Sequence, residues 1–124
     1  MPAGSVAAAI SNATVQLLNE YTGRGPTKAR TTISRDLIAV VLQETMTKGE
    51  KTLASNGEAK FVLDMRHKFQ LAIQDDLVAA VERLSERKVI AFMSDNHIDP
   101  DMAVEIFILQ PPPGGTVEAG SVAD

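Results

Sequence analysis

Leu37-Ile38-Ala39-Val40-Val41-Leu42 is apolar at every position, and the reading of this run decides the fold. Side chains alternate between the two faces of a strand, so a strand made of this run is apolar on both faces and both need cover. The stretch before it, Lys28-Ala29-Arg30-Thr31-Thr32-Ile33-Ser34, is Thr-rich and polar, as suits a half-exposed edge strand. Ser34-Arg35-Asp36 supplies the turn between them, which makes the pair a β-hairpin.

Upstream, residues 5–22 read as a helix, with Val6, Ile10, Leu17, Leu18 and Tyr21 near helical spacing. The pattern stops at Gly23-Arg24-Gly25-Pro26, where Gly accepts left-handed dihedrals and Pro forbids continuation. Downstream, Thr47-Lys48-Gly49-Glu50 matches a capping box and opens a short helix over 47–55, closed by Asn56-Gly57. A long helix follows over 58–87. Its stripe of Val62, Met65, Phe69, Ile73, Leu77, Val81 and Leu84 steps by three and four. At 1.5 Å per residue it would be about 45 Å long, more than one small sheet needs, so a bend or an extension into a partner is expected.

Two further strands, 89–93 and 103–109, flank a polar loop over 94–101. The order α-β-β-α-α-β-β gives an α+β fold: a four-stranded antiparallel sheet packed with helices. Residues 1–110 form one domain, and the Pro/Gly-rich stretch 111–124 reads as a disordered tail. Residues 37–42, 89–93 and 106–109 are all apolar at odd and even positions, so something must cover the second sheet face. The first helix is one candidate and a second copy of the chain is the other; the expectation is a homodimer.

The 124 residues carry 12 Lys and Arg against 16 Asp and Glu, a formal net charge of −4, unevenly placed. Residues 1–19 are uncharged, residues 20–88 hold every base and 10 acids, and residues 89–124 hold 6 acids and no base. An acidic balance without a basic run, one Tyr and no Trp argue against nucleic-acid binding. The absence of Cys excludes disulfides, thiolate metal sites and cysteine nucleophiles and fits a reducing cytosol. No apolar run approaches the ~20 residues of a membrane span, and the start lacks a basic leader region, so a cytoplasmic location is expected.

No catalytic constellation emerges. There is no Gly-x-Ser-x-Gly and no phosphate loop, and Asp75-Asp76 sit about 100° apart on a helix. The loop Asp95–Asp101 has oxygen ligands but lacks the Gly and Glu of a calcium loop. No enzyme activity, metal or cofactor is therefore expected. Gly23, Arg24, Gly25, Pro26, Lys28 and Arg30 form a basic cluster past the first helix that could take a small anion or nucleotide. Arg66, at the border of the long apolar stripe, suits either a pair with a buried carboxylate or an anion contact.

Gly23-x-Gly25-Pro26, the apolar second strand, Met46-Thr47-x-x-Glu50, Arg66 with Phe69, the strand after Lys88 and Ser94-Asp95 together resemble the MpsC-like family over about residues 8–110. The resemblance implies an accessory or regulatory role beside a membrane system that moves sodium or bicarbonate. It implies no catalytic residues. With no spanning segment of its own, such a chain would act on a membrane transporter as partner.

Overall fold

The computed structural model describes residues 3–26 and 28–111. Helix α1 (Ala3–Thr22) leads to strands β1 (Lys28–Ser34) and β2 (Leu37–Gln43), helices α2 (Lys48–Leu53) and α3 (Ala59–Ser85), and strands β3 (Val89–His97) and β4 (Met102–Leu109). The sheet order is β1-β2-β4-β3, antiparallel throughout. This is the α+β architecture expected from the sequence.

Local chemistry sets the boundaries. Gly23 ends α1 with φ +77° and donates its N–H to the Asn19 carbonyl at 2.9 Å. Any L side chain there would be strained. Gly25 is needed for space: a Cβ at that position would lie 3.2 Å from Val15 Cγ1. Arg35 turns the β1–β2 hairpin with φ +58°. Thr47 Oγ1 accepts from Glu50 N–H at 3.1 Å, and Glu50 Oε1 accepts from Thr47 N–H at 2.8 Å, completing the capping box. Between α2 and α3 the chain stays wound through Ala54–Glu58 but departs from helical dihedrals at Asn56 and Gly57, the latter at φ +86°. The bend therefore falls before the long helix.

Both long helices pack on the same face of the sheet. Val6, Ile10 and Leu18 of α1 and Ile73, Leu77 and Val81 of α3 share one core with Ile38, Val40, Leu42, Ala103, Phe107 and Leu109. Phe92 and Phe107 pack with tilted rings at a centroid distance of 5.1 Å. Of the two candidates for covering the second face, α1 is thus already engaged on the first. The side-by-side helices also link directly, with Tyr21 Oη donating to Asp76 Oδ2 at 2.6 Å.

The last hairpin departs from the sequence reading. The polar residues 94–97, expected in a loop, continue β3: Ser94, Asp95, Asn96 and His97 pair with Glu105, Val104, Ala103 and Met102. Their weak strand preference is overridden by the ladder that β4 offers. The expected tail begins at the edge of the description, and residues 112–124 lie outside it.

Asp101, in the turn between β3 and β4, holds the other hairpin's exit. Its Oδ1 accepts from Thr45 N–H at 3.1 Å and from Thr45 Oγ1 at 3.0 Å, its Oδ2 accepts from Met46 N–H at 2.9 Å, and its carbonyl accepts from Glu44 N–H at 3.0 Å. Removing the carboxylate leaves part-buried backbone donors without partners. Asp101→Ala should cost about 2–3 kcal/mol in urea unfolding. An unchanged midpoint would contradict this anchoring role.

Candidate functional site

A polar cluster lies beneath α3. The capping box places Glu50 at the start of α2 with its side chain turned inward, where it is buried. Arg66 comes from α3, and its Nη1 donates to both Glu50 oxygens at 3.2 Å. Both side chains are about one-tenth exposed. Arg66 Nε donates to Asn96 Oδ1 at 3.2 Å. Gln70, one turn along α3, accepts from Asn96 Nδ2 at 2.9 Å and donates from Nε2 to Glu105 Oε1 at 3.4 Å. Four elements therefore meet on one guanidinium and one amide pair.

Glu105 is the unusual member. It sits on β4 at the inward parity between Ala103 and Phe107, 1% exposed, and its Oε2 has no hydrogen-bond partner among the described residues. Burial pushes its carboxyl up to about 8, against the smaller opposing pull of the Gln70 hydrogen bond and the Arg66 charge. Arg66 is already spent on Glu50, so Glu105 is held neutral near pH 7. A narrow cavity of about 20 Å³, lined in part by Thr22, Arg66, Phe69, Gln70 and Glu105, has the size of a single water.

The structure does not gather the basic residues singled out from the sequence. Arg66 lies in the polar cluster, paired with a buried carboxylate as one of its two readings had it. Arg24 Nη2 donates to the Glu44 carbonyl at 3.3 Å. Gly23, Gly25 and Pro26 serve the helix stop and the close packing on α1, with Pro26 buried. Lys28 and Arg30 stand exposed on β1, on the sheet face that points away from the helices. Glu105 and Gln70 did not stand out in the sequence, and Asn96 and Asp101 stood out only as oxygen ligands of a polar loop. The parity of Glu105 within an apolar strand was the one available signal.

That outer face is the second feature. Strand pairing lays it out in four rungs: Lys28, Gln43, Met102, His97; then Arg30, Val41, Val104, Asp95; then Thr32, Ala39, Ile106, Met93; then Ser34, Leu37, Ile108, Ala91. Its two central strands are apolar except for Gln43. No described element packs over them. Leu37 is 39% exposed and Met93 51%.

The cluster makes two predictions. Arg66→Ala leaves Glu50 buried without its cation and should cost about 3–5 kcal/mol of stability; an unchanged melting curve would remove the ion pair from the account. For Glu105, the folded chain keeps until about pH 8 a proton that the unfolded chain gives up near 4.5, so stability should fall as pH rises through this window. A shift of this size is worth on the order of a few kcal/mol. Glu105→Gln should flatten the slope and stabilise the protein at pH 8 relative to wild type. Equal pH profiles for the two proteins would contradict a neutral Glu105.

Comparison with curated proteins and with solved structures gives no match. The family model described as "Na+-translocating membrane potential-generating system (MpsC)" matches residues 3–111. That span takes in α1, α2 and α3, all four strands, the polar cluster and the bare sheet face, and on it the chain belongs to the MpsC family.

Proposed function

We propose that this chain is a non-catalytic accessory domain of the Na+ membrane-potential-generating system for which its family is named, acting in the cytoplasm as a homodimer. The observation that carries the reading is the bare apolar face of the sheet. Leu37, Val41, Val104, Ile106 and Ile108 lie in the middle of it, where water contact is costly and a docked surface would remove it. Monomeric proteins rarely keep a contiguous apolar patch of this kind uncovered.

The polar cluster supports the same reading from the other side of the sheet. Its charged groups are turned on one another: Arg66 on Glu50, and Glu50 also on the Thr47 amide. Such a network holds α2, α3 and β3 in place and offers no aligned nucleophile and base. The dispersal of Arg24, Lys28, Arg30 and Arg66 favours docking over capture of a small anion. Among the described residues no helix is long and apolar enough to cross a membrane. The proposed action on ion movement is exercised through a partner in the membrane.

Two measurements test this. Sedimentation of the wild-type chain at micromolar concentration should give a dimer, and Ile106→Glu, in the middle of the face, should give a monomer with an unchanged circular dichroism spectrum. A wild-type monomer would overturn the dimer. Affinity isolation from native membranes should enrich a Na+ transport complex with wild type; enrichment of no transport protein would overturn the accessory role.

A further inference from the structure

The outer face is self-complementary in charge, and this points to one way of covering it. Its basic groups, Lys28 and Arg30, lie on edge strand β1. Its acid, Asp95, lies on the opposite edge strand β3, in the same rung as Arg30 and separated from it only by Val41 and Val104. A face that is basic on one edge, apolar in the middle and acidic on the other edge at the same level matches a second copy of itself.

Two-fold packing of sheet on sheet allows two arrangements of the axis in the interface plane. An axis across the strands would put β1 over β1 and β3 over β3 and reverse the rungs. Asp95 would then press against Met93 of the other copy, and Arg30 against Thr32. An axis parallel to the strands, passing between β2 and β4, puts β1 over β3 and keeps every rung at its level. Arg30 then faces Asp95, Val41 faces Val104, Ala39 faces Ile106 and Leu37 faces Ile108. Ala39, the small side chain among these, meets the larger Ile106, as close packing favours. Lys28 falls opposite His97 at the rim, where both reach water.

We propose that two copies pack face to face about a two-fold axis parallel to the strands, with Arg30 of each copy paired to Asp95 of the other. The inference rests on the homodimer reading and fixes its geometry. Packed sheets lie about 10 Å apart and cross at about 30°, which displaces the overlying edge by about 4 Å, within reach of an arginine side chain. Each dimer holds the pair twice. The apolar middle supplies the affinity, and the edge pairs select this arrangement over the crossed one.

Charge reversal tests the pairing. Arg30→Glu alone sets two acids against each other twice per dimer, and Asp95→Arg alone does the same with two bases. Each should raise the dimer dissociation constant at least ~10-fold at low salt. Mixing the two variants creates a heterodimer with one reversed and one native pair, and its dissociation constant should return to within about threefold of wild type. Asp95 Oδ1 also accepts the Asn96 N–H at 2.8 Å, so Asp95→Asn, which keeps an acceptor, should weaken the dimer less than Asp95→Arg does. A wild-type dimer with single variants as tight as itself, or a mixture no tighter than either variant, would overturn this arrangement and leave the homodimer standing. A wild-type monomer, whether or not it binds phospholipid vesicles, would overturn both.

Discussion

Both long helices of this protein lie on one face of a four-stranded sheet, while its two central strands are apolar on both faces except at Glu105 and Gln43. The rest of the architecture follows from that mismatch. α1 and α3 pack side by side, share a core with β2 and β4, and are joined by the Tyr21–Asp76 hydrogen bond. With both helices engaged there, the outer face is left with Leu37, Val41, Val104, Ile106 and Ile108 toward solvent. A second layer over this face would bury those side chains. Another sheet is the complement proposed for it, because two pleated apolar surfaces interdigitate at constant spacing.

The covered face has its own constraint. Glu50, Arg66, Gln70, Asn96 and Glu105 are inserted under α3 in a region otherwise filled by aliphatic side chains. Buried charge is tolerated because the charges are matched: one guanidinium to one carboxylate, with Glu105 kept neutral by burial. The cluster ties the capping box of α2 to the middle of α3 and to the end of β3. Asp101 ties the neighbouring turn to the segment leading into α2. These contacts fix where the β3–β4 hairpin ends, and hence the level at which Asp95 stands across the outer face from Arg30.

What could be read from the sequence divides along the range of the interactions. The capping box of Thr47 and Glu50, the glycine stop at Gly23, the hairpin turn at Arg35 and the break at Gly57 depend on a few neighbouring residues, and all were legible. The two-sided apolar pattern of residues 37–42 was legible too, because strand periodicity is local. The sequence could suggest that Arg66 meets a buried acid but not that the acid is Glu50, sixteen residues earlier. Residues 94–97 read as a loop because their strand character comes wholly from pairing with β4. Glu105 was overlooked inside an apolar strand, although its parity with Ala103 and Phe107 points it into the core. The basic residues at 24, 28 and 30 looked like one cluster in sequence, and folding sends Arg24 to the Glu44 carbonyl and Lys28 and Arg30 to the outer sheet face.

The central claim is that the outer face is covered by a second copy, and the absence of native cysteine allows coverage to be measured directly. Val104→Cys places a single thiol in the middle of the face. Its rate of alkylation by a maleimide reagent should be slow at tens of micromolar protein and rise steeply on dilution, as the second copy leaves. A fast rate that is independent of protein concentration would contradict the account.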